Sequence, residues 1–370
     1  MLYIILGIVL LIMILIIFLY NIWKDEDLLD NNESGTQDEF VEKLKNSSID
    51  KKIFFDGLKN LDIKNETVIS LKNEINKSIV GMDEFINSIL INVFTGGHLL
   101  VEGPPGLAKT KTITSISKIM SFSSKRIQFT PDMLPADIMG VEIFNTKTND
   151  FEIKKGPVFT NILLADEINR TTPKVQSALL ESMQEKQVSI GGETFNLPYP
   201  FFVLATQNPI EQEGTYQLPE AQLDRFLMKV IVDYPNIKDE NNVLNVLENE
   251  NNISLQKIIS IGDFEEIKSE IEDIVISDDI KDYIVRLVNS TRKKDERVLY
   301  GASPRGSISL MNASKTLAYI LGRDYVIHED IQKLALLVLR HRVILTYDAI
   351  VDGLNVDDVV CDMLSKVSLE

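Results

Sequence analysis

One cysteine, Cys361, stands among 370 residues, so no internal disulfide can hold this chain together. That fits a reducing compartment for the soluble part, with Cys361 as an ordinary buried thiol. Histidine is almost as scarce. His98, His328 and His341 lie far apart and have no metal-ligand spacing, which excludes a zinc site. Positive charge is short too: 38 Lys and Arg face 55 Asp and Glu, for a net charge of −17. Nucleic-acid binding rests largely on neutralising phosphates with a basic face, so DNA is not expected as the main ligand. No internal repeat is present. What remains is 44% apolar and 25% charged residues. That composition supports a sizeable core, and the length suits two or three units.

The longest apolar stretch comes first. Leu2 to Tyr20 is a 19-residue run without a charge. At ~1.5 Å per residue a helix of that length nearly crosses a ~30 Å hydrocarbon layer. Tyr3, Tyr20 and Trp23 flank it, where amphipathic aromatics favour the interface. A cleaved signal peptide is disfavoured, because the positive n-region and small-residue cleavage site are missing. The expectation is a membrane anchor over 1–23. Only Lys24 follows directly, before Asp25, Glu26, Asp27 and Asp30, so charge gives no orientation. Lys24 to Asp50 holds nine acidic residues against three lysines. Residues 24–65 are expected as an acidic flexible linker, with a short helix around Phe40 to Leu44.

From Glu66 the pattern turns helical through Val68, Leu71, Ile75 and Ile79. Val80-Gly81 breaks that helix, and Asp83 is placed to cap the next. Short apolar runs then alternate with helical ones: 98–101, 126–129, 162–165, 201–205 and 228–232. Continuous apolar strands between helices imply a parallel sheet covered on both faces. After Tyr234-Pro235 no strong strand recurs. Residues 238–250, 279–293, 303–321 and 328–345 read as helices. The fold class is α/β, a core over 66–235, followed by an all-α unit over 236–355 and a tail over 356–370.

Chemistry gathers at the strand ends. Gly103, Pro104, Pro105, Gly106, Leu107, Ala108, Lys109 and Thr110 follow the first strand and open a helix, the place for a phosphate loop. Backbone N–H groups and the helix N-terminus would cradle phosphates, Lys109 would meet the β/γ oxygens, and Thr110 would hold Mg²⁺. Ala108 stands where the motif has its second glycine, and its methyl group fits only if φ stays below zero. Leu163 to Ile168 is an apolar strand ending in two carboxylates. Asp166 fits a Mg²⁺ ligand, and Glu167 the group that orients and deprotonates the attacking water. Asn208 closes another apolar strand and could hold that water; the alternative is a turn residue before Pro209.

These residues resemble the MoxR branch of the AAA+ ATPases, a helix-2-insert clade. The resemblance extends over about 66–355. It is carried by 103–110 with its alanine, Phe129-Thr-Pro-Asp-Met-Leu-Pro-Ala-Asp-Ile-Met-Gly140, Gly156-Pro-Val-Phe159, Asp166-Glu-Ile-Asn-Arg170 and Gln207-Asn-Pro209. Gln212 to Phe226 and Val338-Leu-Arg-His-Arg342 complete the set. It implies an AAA+ P-loop core with a helical lid, ATP and Mg²⁺, and a homo-oligomeric ring, usually a hexamer. By resemblance Arg225 is an arginine finger reaching a neighbour's γ-phosphate, and Arg305 a sensor-2 arginine. Val80 and Gly81 would lie beside adenine. Val141 to Lys155 would be a β-hairpin inserted in the second core helix, facing the pore or partners.

The resemblance implies an ATPase that remodels or matures partner proteins, family members often acting with von Willebrand factor A domain proteins. The anchor and linker are additions to the family pattern. An ATP site needs cytoplasmic nucleotide, which places the bulk of the chain at the cytoplasmic membrane face. Two alternatives stay open: a DNA-directed helicase- or chelatase-like motor, and an ATP-switched membrane scaffold that does not hydrolyse.

Overall fold

The computed structural model describes residues 50–104, 106–208, 214–248 and 254–369. The apolar run over 2–20, the linker up to residue 49 with its expected helix at Phe40 to Leu44, Pro105, and Pro209 and Gln212 lie outside the described residues. Among the described residues no helix is long and apolar enough to cross a membrane.

Residues 50–369 build around one five-stranded sheet. In chain order its strands are β1 (Leu99–Glu102), β2 (Ser124–Gln128), β5 (Ile162–Asp166), β8 (Phe202–Gln207) and β9 (Met228–Ile231). The spatial order is β2-β5-β8-β1-β9, and every pairing is parallel. Ile162 to Ala165 and Phe202 to Thr206 are all buried. Strands with no polar alternation need cover on both faces, and a parallel sheet supplies it. The cover includes helix Asp83–Thr95 against β1 and β9, and helix Lys109–Ile119 against β2 and β5. Two antiparallel hairpins leave the sheet: β3 (Gly140–Asn145) with β4 (Asp150–Lys155), and β6 (Gln187–Ile190) with β7 (Glu193–Asn196). The first is the expected hairpin, and it follows a helix of five residues, Pro135–Met139. The second was not read from the sequence.

Beyond Tyr234 the chain is mainly helical: Ile237–Glu248, Ile261–Asp273, Asp278–Ser290, Pro304–Ile320, His328–Leu339, Tyr347–Val351 and Val356–Leu364. Asp278–Ser290 is a clear amphipathic case. Ile280, Tyr283, Ile284, Leu287 and Val288 are buried at three- and four-residue spacings. Ser277 caps it by accepting the Ile280 N–H at 3.4 Å.

Several expectations change. Residues 50–65 are not all linker: Lys52–Asp56 is helical, Phe54 and Leu58 are buried, and Asn87 donates to the Leu58 carbonyl at 2.7 Å. Two apolar residues four apart dock there despite the polar composition around them. Helix Ile261–Asp273 was missed, although Ser260 and Asp263 form a reciprocal capping box before buried Phe264, Ile267 and Ile271. The helix read over 328–345 ends at Leu339, and Ile344–Leu345 pairs with Val298–Tyr300 as a two-stranded ribbon. Residues 356–364, read within a tail, form a helix with Val359, Val360, Cys361, Met363 and Leu364 buried. Asp83 is the first helical residue rather than the cap, and it pairs with Lys72 at 2.6 Å.

His98 sits just before β1 in the core. Its Nδ1 accepts the Val203 N–H at 3.0 Å, which leaves the proton on Nε2, 3.1 Å from the Met183 carbonyl. Burial pushes its pKa down to about 4, whereas an unfolded histidine titrates near ~6.5. Between those values the unfolded chain binds a proton that the folded chain refuses. The stability from a neutral His98 is therefore present above ~pH 6.5 and lost as pH falls toward 4. At ~1.4 kcal/mol per unit the loss is about 3 kcal/mol. Buried His341 acts with the same sign. Urea midpoints measured from pH 7 to 4 should fall, and a His98→Gln variant should lose part of that slope. An unchanged slope in the variant would remove His98 from this account.

Candidate active site

Parallel pairing brings the C-terminal ends of β5, β8 and β1 to one edge of the sheet. Glu102 is level with Gln207, and Ala165 with Ala205, so Asp166 lies beside Thr206. The loop after β1 crosses this edge and enters helix Lys109–Ile119. Gly103 is required by close approach: a Cβ there would lie 2.3 Å from the Val232 carbonyl oxygen. Ala108 departs from expectation. Its φ is +49° and its ψ 20°, the left-handed region, although a negative φ was expected. The turn from the loop into the first helical residue imposes this conformation, and the smallest side chain with a Cβ occupies it.

Lys109 opens the helix and turns back over the loop, donating through Nζ to the Gly103 carbonyl at 2.9 Å. Burial lowers its pKa, while Asp166 and Glu167 pull it up. Across the loop, Asp166 accepts through Oδ1 from the Thr206 hydroxyl at 2.6 Å. Its Oδ2 accepts from Arg126 Nη2 at 2.7 Å and Nε at 3.2 Å. Glu167 also sits left-handed, at φ +58°. Its N–H donates to the same Thr206 hydroxyl at 2.8 Å. Its Oε2 accepts from Gln128 Nε2 at 2.7 Å and pairs with Arg170 Nε at 2.9 Å. Thr206 thus fixes the carboxylate of one residue and the backbone of the next.

One cavity of about 410 Å³ holds these groups together, within the ~300–1,000 Å³ usual for small-molecule sites. Gly103, Gly106, Leu107, Ala108, Lys109, Thr110, Asp166, Glu167 and Asn208 line it, with Lys111, Arg126, Gln128, Thr206 and Gln207. Asn208 is buried, and its carbonyl accepts from Asn169 at 3.5 Å. Among the described residues, the candidates Pro104, Val80, Gly81, Arg225 and Arg305 do not line this cavity. Val80 and Gly81 lie between helices Glu66–Asn76 and Asp83–Thr95, where Gly81 is at φ +74° and a Cβ added to it would lie 2.6 Å from Asp239 Cβ. Arg225 donates to the Leu180 carbonyl at 2.9 Å, and Arg305 lies 3.6 Å from Asp224. Arg126, Gln128 and Thr206 were not singled out from the sequence. Their signal is weak: polar residues two apart on an edge strand, and a threonine ending an apolar run.

A Gly-bearing loop, a lysine at a helix start and two carboxylates at a strand end are the arrangement of the P-loop ATPase class. The AAA description, "ATPase family associated with various cellular activities", matches residues 98–228, and the AAA lid domain matches 290–362. The chain is 46% identical over 296 residues to the uncharacterized protein YeaC of Bacillus subtilis, covering 80% of this chain and 92% of YeaC. It is 43% identical over 304 residues to the chaperone MoxR1 of Mycobacterium tuberculosis, covering 80% of each. A crystal structure of a candidate ATPase from Cytophaga hutchinsonii superposes with a TM-score of 0.78 at 43% identity, covering 90% of this chain and 99% of that one. The chain belongs to the MoxR family of AAA+ ATPases.

The donor set suits a hard cation: the Thr110 hydroxyl and the Asp166 carboxylate are oxygen ligands of the kind Mg²⁺ takes beside phosphates.

The two loop positions should respond differently to substitution. Ala108→Gly relieves ~1–2 kcal/mol of left-handed strain against ~0.4–1 kcal/mol of added unfolded-state entropy. Its thermal midpoint should stay within a few degrees of wild type. Gly103→Ala must displace the Val232 backbone and should lower the midpoint clearly more. Equal midpoints in calorimetry would contradict the close approach.

Proposed function

We propose that this chain binds ATP with Mg²⁺ in the cavity, hydrolyses it, and works as a subunit of a ring that remodels or matures partner proteins. The observation that carries this reading is the convergence of Lys109, Thr110, Asp166, Glu167 and Asn208 on one cavity at the sheet edge. Backbone N–H groups of the loop, through Gly106 and Ala108 to Lys109, cradle the phosphates, and Lys109 leaves the Gly103 carbonyl for the β/γ oxygens. Thr110 and Asp166 would hold Mg²⁺, which would neutralise phosphate charge. Glu167 takes the proton of the attacking water that Asn208 orients, once Gln128 and Arg170 release its carboxylate.

Arg225 lies off its own cavity and serves the γ-phosphate of a neighbouring subunit, which makes each site incomplete without a second copy. Arg305 contacts nucleotide from the lid, and Val80 and Gly81 flank the adenine. A hexamer is the expected ring, and a von Willebrand factor A domain protein is the expected class of partner. The run over 2–20 tethers the ring to the cytoplasmic face of a membrane.

Glu167→Gln should keep ATP affinity and lose turnover by about 10²-fold or more. Arg225→Ala should lose about 10³-fold. Mixed rings of the two variants should regain turnover, because some interfaces then pair an intact Glu167 with an intact Arg225. Wild-type turnover in the first variant, or no recovery on mixing, would overturn the respective role. The tether is tested by cell fractionation. The full chain should pellet with membranes through an alkaline wash, and residues 51–370 should not; recovery of the full chain in the wash removes the anchor.

A further inference from the structure

The segment Val338 to Arg342 has no part in the chemistry proposed for the cavity, yet its last residue is one of the most heavily bonded side chains described. Arg342 follows helix His328–Leu339 of the lid, and its side chain is 1% exposed. Nε donates to Asp224 Oδ1 at 2.8 Å. Nη1 donates to the carbonyls of Val338 and of Leu227, the latter at 3.2 Å. Nη2 donates to the Phe226 carbonyl at 2.6 Å, and it contacts the Asp224 carbonyl at 3.3 Å and Ser309 Oγ at 3.2 Å. His341 Nε2 lies 3.2 Å from the same Phe226 carbonyl. A lid arginine thus grips the backbone of Asp224, Phe226 and Leu227, the residues on either side of Arg225.

The Asp224 carboxylate is shared. Oδ1 belongs to buried Arg342. Oδ2 accepts from the Ser303 hydroxyl at 2.9 Å and faces Arg305 at 3.6 Å. The Arg305 side chain is 45% exposed, so its half of the pairing is loose and its partner's is fixed. If Arg305 leaves for a phosphate, Arg342 still neutralises Asp224, and no unpaired carboxylate is left half-buried.

We propose that Arg342 is a positioning residue that locks the Asp224–Leu227 segment to the lid and thereby aims Arg225 at the neighbouring subunit's site. It rests on the reading of Arg225 as an arginine acting in trans. Lid movement in one subunit then shifts the arginine that completes the next site. Only a guanidinium supplies the planar fork of donors this grip uses; a lysine offers three donors from one point.

The test is subunit mixing with purified full-length chains. Arg342→Gln should lower turnover at least ~10-fold while ATP affinity changes little, as expected when an interaction used only in the transition state is lost. Mixed with Glu167→Gln it should recover activity, since interfaces form between its intact site and a properly aimed Arg225. Mixed with Arg225→Ala it should not recover, because neither chain presents that arginine. Recovery with Arg225→Ala would place the defect in the variant's own site and overturn the proposal. Failure to recover with Glu167→Gln would overturn it as well. If Glu167→Gln and Arg225→Ala do not complement each other, the reading of Arg225 falls first. Should Arg342→Gln not fold, Arg342→Lys keeps the charge on Asp224 and enters the same two mixtures, where recovery with Glu167→Gln alone supports the proposal and any other pattern overturns it.

Discussion

Parallel pairing of β5, β8 and β1 is the constraint on which the rest of this structure depends. Parallel strands all end at one edge, and their register decides which residues stand level there. Because Ala165 pairs with Ala205 and Val101 with Thr206, Asp166 and the loop that follows Glu102 meet beside Thr206. A slip of one residue would turn each of these side chains to the opposite face of the sheet. The slip is resisted because the buried run Ile162 to Ala165 ends at charged Asp166, which a shift would draw into the packed sheet.

The site that results is held in tension by charge and by backbone. Two residues with a Cβ, Ala108 and Glu167, adopt left-handed conformations within the same cavity. Such positions persist only where surrounding structure determines them, and they gather at functional sites. Around Glu167 the determinants are visible: Thr206 holds its N–H, and Gln128 and Arg170 hold its carboxylate. Around Asp166 the balancing charge is Arg126, with Lys109 facing both acids from the loop. Lys109, Asp166 and Glu167 are thus already partnered within the chain. A bound triphosphate would compete with these partners rather than fill a vacant set.

The same economy operates between core and lid. Asp224 has one carboxylate and three side-chain neighbours, Arg342, Ser303 and Arg305, all from the helical region. Backbone carbonyls after it accept from His341 and Arg342. At this point of the joint, polar groups from two elements remote in sequence satisfy one another, while Phe264 of the lid packs on Phe94 and Phe122 of the core.

Local signals were enough for much of this protein. Apolar runs without alternation marked the central strands β5 and β8, because a strand covered on both faces has no polar side to show. Glycine, lysine, threonine and paired acids at strand ends marked the loop and the carboxylates, because phosphate chemistry restricts residue type at short spacing. Other features depended on partners distant in the chain. Arg126, Gln128 and Thr206 matter only because β2 and β8 flank β5, and no spacing along the sequence expresses that adjacency. Phe54 looked like a linker residue because helix His328–Leu339, which packs on its short helix, lies far along the chain. The sign of φ at Ala108 was misjudged because a residue's own preference was overruled by the turn the loop must make into its helix. The sequence by itself determined the phosphate loop, the paired carboxylates and the longer apolar strands and helices. Tertiary structure decided which of those groups meet, since strand order, register and lid contact are fixed by packing between residues that the chain does not place near one another.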